Sequence, residues 1–185
     1  MILTADSGST KTDWKLTIDE GKEVLFSTQG INPFHMSEST VEGIIVNELL
    51  PLLKKDAEIS TIKEIHFYGA GCTPAKIPVM ERILKELFPA ADVIEVASDL
   101  LGAAKALCGD EEGIACILGT GANSCYYDGK AIVENVSPMG FILGDEGSGA
   151  VIGKTFINEL YKGLHGDFIP AFEKETGLCQ SDIIQ

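Results

Sequence analysis

Two short segments combine glycine with hydroxyl side chains directly after an apolar run. They are Asp6-Ser7-Gly8-Ser9-Thr10-Lys11-Thr12 and Gly119-Thr120-Gly121-Ala122-Asn123-Ser124. Glycine lets the backbone approach a ligand, and Ser or Thr hydroxyls together with main-chain N–H groups can wrap an anion. Gly8, Ser9, Thr10, Lys11 and Thr12, with Gly119, Thr120 and Gly121, are therefore candidate phosphate-holding residues. A third turn, Gly69-Ala70-Gly71, also follows a predicted strand. Any one of these reads equally well as an ordinary turn; two on matching strand-turn-strand units argue for phosphate. No GxxxxGK[ST] run exists, which excludes a Walker P-loop. Pro74 and Ser124 stand where the third glycine of GxGxxG belongs, which argues against a dinucleotide site.

Asp6 closes the first strand beside the first turn. A carboxylate aimed at phosphates needs a cation between them, and Mg²⁺ takes one or two carboxylates plus waters and phosphate oxygens. Asp6 is thus the candidate metal ligand, although it could also simply cap the turn. Asp99 follows an apolar strand and opens a helix with Ser98 as N-cap. A general base for a substrate hydroxyl belongs at such a strand end, and the helix N-terminus favours its ionised form. The plainer reading of Asp99 is an acidic first-turn residue, and the sequence by itself favours that. Asn32, in Gly30-Ile31-Asn32-Pro33, could bind a sugar hydroxyl or make an Asx turn. Gly144-Asp145-Glu146-Gly147-Ser148-Gly149 puts three glycines at a predicted helix start, which close backbone approach to another element or to a ligand would explain. Direct chemistry by Glu146 is less well supported, and His35 reads as structural. Cys116 and Cys125 have no third or fourth ligand at metal spacing and are read as core thiols.

These residues need a scaffold. Residues 1–29 read as three neighbouring antiparallel strands, with a turn at Asp19-Glu20-Gly21-Lys22. Ser39-x-x-Glu42 has the form of a capping box, and Val41, Ile45, Leu49 and Leu52 predict a helix to about Leu53, kinked or shortened by Pro51. A strand at 65–70, an amphipathic helix ending at Leu87, a strand at 93–97 and an Ala-rich helix follow. The order βββαβαβα is an α/β layer structure. Near residues 110–113 the pattern restarts: strand, glycine turn, two strands, then a helix from Gly144 onward. This is a degenerate repeat of pattern, and it divides the chain into a lobe at 1–110 and the beginning of a second, incomplete lobe at 111–185.

The chain has 185 residues and a formal net charge of −14. That charge argues against a nucleic-acid partner but not against a nucleotide held by neutral N–H groups with Mg²⁺. Five cysteines with no CxxC pair suit a reduced, cytoplasmic protein. Neither a leader nor a membrane-spanning run is expected.

Taken in order, these segments resemble the BadF/BadG/BcrA/BcrD ATPase family, and within it the N-acetylglucosamine kinases of the sugar kinase/actin/Hsp70 superfamily. Asp6-Ser-Gly-Ser-Thr-Lys-Thr resembles the phosphate-1 motif and Ile117-Leu-Gly-Thr-Gly-Ala-Asn-Ser the phosphate-2 motif. Ser98-Asp99-Leu-Leu-Gly-Ala-Ala resembles the segment holding the catalytic aspartate. Gly140-Phe-Ile-Leu-Gly-Asp-Glu-Gly-Ser-Gly149 resembles the run that follows phosphate-2. The resemblance implies ribonuclease H-like, actin-like ATPase lobes with ATP and Mg²⁺ between them. It implies Asp99 as the base, Asn32 and Asp145 (with Asp99) on the sugar, and a small-molecule sugar as partner, with a homodimer conceivable. It also implies an adenosine-binding segment that has no counterpart before Gln185. Met139 and Phe141 stand where the eukaryotic N-acetylglucosamine kinases have Trp and His. The expected function is ATP-dependent phosphorylation of N-acetylglucosamine or a related amino sugar. The alternatives are an energy-coupling ATPase of the dehydratase-activator type, for which a Cys-Gly-Gly-like cluster segment is missing, and a non-catalytic sugar or nucleotide sensor.

Overall fold

The computed structural model describes residues 1–19 and 21–184. Glu20, in the expected first turn, and Gln185 lie outside the described residues. The chain divides into two compact units, residues 1–115 with 125–134 and residues 116–124 with 135–185.

The first unit is built on a five-stranded sheet. Its strands are β1 (Ile2–Ser7), β2 (Lys11–Asp19), β3 (Lys22–Gln29), β4 (Glu64–Gly69) and β5 (Val93–Ser98), in the order β3-β2-β1-β4-β5. β1, β2 and β3 pair antiparallel, while β1-β4 and β4-β5 pair parallel. Strand alternation sorts the side chains of β1 and β4 by face. Leu3, Ala5, Ile65 and Phe67 turn to one face and are buried. Against them pack α1 (Glu38–Ile44) and α3 (Ile77–Leu87), which bury Val41, Ile44, Met80, Ile83 and Leu84 in the same cluster. Trp14 lies fully inside this core, with its indole N–H donating to Thr28 Oγ1 at 3.0 Å. Thr4, Asp6, His66 and Tyr68 share the other face by register. There α4 (Asp99–Cys108) packs, and its Lys105 amine reaches the Tyr68 hydroxyl at 3.2 Å.

The expected element order βββαβαβα is found across residues 1–108. Two local details differ. The first helix is capped by Ser37, whose hydroxyl accepts from Thr40 N–H at 3.2 Å, and not by Ser39. The helix does not end ahead of Pro51. Instead residues Ile45–Leu49 form a π-turn leading into α2 (Leu50–Leu53). A π-turn is where a helix absorbs a disturbed hydrogen-bond ladder, and Pro51 has no N–H to give to that ladder.

Beyond α4 the strands β6 (Glu112–Leu118), β7 (Ala122–Asp128) and β8 (Ile132–Val136) form a three-stranded sheet in that order. The strand-turn-strand-strand plan of residues 1–29 thus recurs. The helices that follow are α5 (Gly140–Leu143), α6 (Gly149–Tyr161), α7 (Ile169–Thr176) and α8 (Gln180–Ile183). Cys116, read as a core thiol, is exposed. The alternation of β6 turns Ala115 inward and sets Cys116 with Ile114 and Leu118 on the open face. Among the described residues no helix is long and apolar enough to cross a membrane.

Candidate active site

In the first unit the parallel strands β1, β4 and β5 end side by side. Register pairs Ser7 with Gly69 and Gly69 with Ser98, so the residues after each strand share one edge. Asp6 and Asp99 belong to this edge, as does the turn after β4.

The β1–β2 turn is braced from within. Gly8 N–H donates to Lys11 O at 2.9 Å and closes it. Ser7 and Thr12, both fully buried, bond to each other through their hydroxyls at 2.6 Å. Both hydroxyls also accept from Ile31 N–H at 3.1 Å, and Ser7 Oγ donates to Ile31 O at 2.9 Å. Gly30 N–H donates to Thr10 O at 3.0 Å. The turn is therefore fastened to the segment after β3. Ser9 and Thr10 are exposed. Thr12, expected to grip phosphate, has its hydroxyl committed inward, and the Lys11 amine pairs with Asp13 at 2.7 Å. Sequence reasoning missed Ser7 as the partner of Thr12; their placement on either side of the glycine turn was the available signal.

Asn32 does make the Asx turn: its Oδ1 accepts from Phe34 N–H at 3.1 Å. Its Nδ2 also donates to Ser9 Oγ at 3.0 Å, which ties it to the turn. His35 is exposed and stacks edge-on to Phe34.

Asp99 is the first residue of α4, and Ser98 caps that helix by accepting from Leu101 N–H at 3.2 Å. The carboxylate accepts from Leu100 N–H at 2.9 Å. Burial nonetheless pushes the Asp99 carboxyl above the usual aspartate range; the Leu100 N–H opposes this, and the neighbouring Asp6 charge adds to it. The helix N-terminus was expected to dominate and does not, because desolvation of the charged form outweighs it. A raised pKa makes the carboxylate form a stronger base. The thiol of buried Cys72 is pushed up to about 12, first by burial and then by the Asp99 charge.

Asp6 is exposed, and its charge acts on Asp99. Lys11, the cation of the turn, is taken by Asp13. Two neighbouring carboxylates of this kind suit a divalent cation with hard oxygen ligands. The carboxylates present are therefore of the donor type that Mg²⁺ takes.

In the second unit the loop between β6 and β7 meets the start of α6. The helix begins at Gly149, later than the expected Gly144, because Asp145 (φ 62°) and Gly147 (φ 80°) take left-handed conformations that end any helix there. Gly149 N–H donates to Gly119 O at 2.8 Å, and Ala150 N–H to Thr120 O at 3.3 Å. In a trans peptide the C=O and the following N–H point in opposite directions. With both carbonyls turned to α6, the N–H groups of Thr120 and Gly121 point away from it. Asp145 lies over this loop: its Oδ1 accepts from Ala122 N–H at 3.2 Å. The close approach inferred for the glycine-rich segment is thus to the Gly119-Thr120-Gly121 loop.

A cavity of about 400 Å³ adjoins the loop, lined by Asn123, Ser124, Ser137, Met139, Asp145 and Glu146 among others. Ser148, missed by sequence reasoning, is fully buried and caps α6 by accepting from Val151 N–H at 3.2 Å. Ser148→Ala is expected to cost ~1 kcal/mol of stability, as N-cap losses do, read as a lowered urea midpoint at unchanged slope.

The whole chain superimposes on a solved structure from Porphyromonas gingivalis named "putative N-acetylglucosamine kinase", at TM-score 0.93 and 54% identity, covering 65% of that chain. A Chromobacterium violaceum protein of the same name matches at TM-score 0.67 and 19% identity, over 88% of this chain and 58% of that one. The ethanolamine utilization protein EutJ of Carboxydothermus hydrogenoformans matches at 0.52 and 16%, over 75% and 52%. The chain has the actin-like ATPase fold. The P. gingivalis protein bears out the resemblance to N-acetylglucosamine kinases read from the sequence; the other two speak to the fold alone. Neither a family model nor a curated protein matches the sequence. The chain spans 65% and 58% of the lengths of the two kinase-named proteins.

Proposed function

We propose that this chain is the phosphate-gripping and base-bearing part of an ATP-dependent kinase of an amino sugar, N-acetylglucosamine or a near relative, working in the cytoplasm. The observation that carries the reading is 54% identity, over every residue of the chain, to a protein named for that activity. The geometry at the strand ends supports it.

In this reading the N–H groups of Ser9, Thr10 and Lys11 in the first unit take phosphate oxygens, and Thr120 and Gly121 in the second unit offer N–H groups of the same kind. Ser7 and Thr12 hold the first loop in shape. Asp6 holds Mg²⁺, which supplies neutralisation of phosphate charge. Asn32 and Asp145 hydrogen-bond the sugar. Asp99 takes the proton from the acceptor hydroxyl as that oxygen attacks the terminal phosphorus of ATP and the bond from this phosphorus to the bridging oxygen breaks, with ADP leaving. Phosphoryl transfer asks for positioning and charge stabilisation, so one base and two phosphate loops suffice.

The test is ATP turnover by the full protein across a panel of hexoses, hexosamines and N-acetylhexosamines. Turnover that depends on an N-acetylhexosamine is expected. ATP hydrolysis of equal rate with and without every sugar would overturn the reading in favour of an energy-coupling ATPase.

A further inference from the structure

The third glycine turn, residues 69–73, has no role in the function proposed above, yet it abuts Asn32 and lies near Asp99. Ala70 N–H donates to Ser7 O at 2.8 Å, joining the turn to the phosphate loop. Gly71 has φ 76°, a conformation that side chains with a Cβ rarely adopt. A Cβ there would overlap the Asn32 carboxamide, lying 2.8 Å from its Cγ, and would stand 3.0 Å from Phe34 Cβ. One residue on, the buried Cys72 thiol is close enough to Asp99 to feel its charge.

Asn32 is itself buried. A carboxamide offers two donors and two acceptor positions. The bonds to Ser9 Oγ and from Phe34 N–H use one of each. The remaining donor and acceptor suit a group that both gives and accepts, such as a sugar hydroxyl. The direction of that pair depends on the plane of the amide, and the bare Cα of Gly71 is what lets the amide lie where it does.

We infer that Gly71 is a positioning residue for sugar selection: the absence of its side chain sets the plane of the Asn32 carboxamide against which an acceptor sugar hydroxyl is read. The inference rests on Asn32 being a sugar ligand, as proposed above. It predicts an effect on the sugar and not on the nucleotide.

The test is a double-mutant cycle on the full protein with Gly71→Ala, Asn32→Ala and both together, reading KM for the sugar, KM for ATP and kcat. Gly71→Ala is expected to raise the sugar KM on the order of tenfold, about the loss of one hydrogen bond, while the ATP KM stays within about twofold. In the Asn32→Ala background the added Cβ meets no amide, so Gly71→Ala should leave the sugar KM unchanged there. Backbone strain alone would act equally in both backgrounds. Circular dichroism and melting of each variant identify any that fail to fold, and sugar titration calorimetry on Asn32→Ala against the double variant then gives the same comparison. Wild-type turnover of an amino sugar with an unchanged sugar KM in Gly71→Ala, or with multiplicative effects in the double variant, overturns the inference alone. Wild-type protein that acts on no sugar overturns the proposed function and the inference with it.

Discussion

Asp99→Asn should abolish sugar phosphorylation while leaving ATP binding nearly intact. The variant keeps the size of the side chain and an oxygen that can accept from Leu100 N–H, so α4 should start unchanged. What it loses is the ability to take a proton, and loss of a general base costs about 10²–10⁴-fold in kcat. Steady-state kinetics with the preferred sugar and calorimetry with Mg-ATP check the two halves. Full activity in the variant would show that another group takes the proton. The wild-type pH profile should carry the same signature: activity falls on the acid side at a pH above that of an ordinary aspartate, since burial raises this carboxyl. The linkage to stability runs the other way. A folded-state pKa above the unfolded value means that the neutral form is favoured by folding. That contribution is present below the ordinary value of 3.8 and lost as pH rises through the raised folded value. Above that raised value the ionised Asp99 therefore weakens the fold. Asp99→Asn should melt higher than wild type at pH above it, and the difference should close as pH falls below the unfolded value. A dead but more stable variant is the pattern of a residue kept for chemistry.

Gly30→Ala should be the most damaging change to nucleotide affinity at a residue that is not itself a proposed ligand. A Cβ at residue 30 would come within 2.5 Å of Gly8 O and Ser9 C and within 2.6 Å of Ser9 O. These are main-chain atoms, so no side-chain rotation relieves the overlap. Gly30 N–H also donates to Thr10 O, so the same residue pulls the turn in by one bond and leaves room for it by lacking a side chain. The turn must shift outward, and a displacement of about 1 Å in a positioning element can cost on the order of 10²-fold. The ATP KM should rise by that order, with a smaller change in sugar KM through the Asn32–Ser9 bond. An ATP KM within about twofold of wild type, in protein that is folded by circular dichroism, would remove this turn from the nucleotide site.

Much of the scaffold was legible because its signals are local. Alternation in residues 14–18 and the apolar runs at 65–70 and 93–97 mark strands whatever they pair with. The motif residues were legible as types: Asp6 and Asp99 at strand ends, glycines in turns. What each side chain bonds to was not, because it depends on neighbours distant in sequence. Thr12 looks like a phosphate ligand until Ser7 and Ile31 are seen to occupy its hydroxyl. Ser39 with Glu42 satisfies the capping pattern, yet the chain enters the helix at Ser37, two residues earlier. Cys116 was misread because an apolar run does not tell which of its two faces is covered. Helix α5 went unread because four residues, the first of them a glycine, carry too little periodicity to register.

The bonds from Gly149 and Ala150 to the carbonyls of Gly119 and Thr120 have an electrostatic consequence. A helix start normally spends its partial positive charge, about half an elementary charge, on whatever its own N–H groups face. Here those N–H groups face two peptide units whose dipoles continue in the same sense. The loop thus lengthens two of the hydrogen-bonded chains of α6 by one peptide each, and their positive ends emerge at Thr120 and Gly121. A phosphate held there would feel the field of a thirteen-residue helix that it never touches. In a protein with a net charge of −14, that is a way to attract a polyanion without assembling lysines and arginines around it.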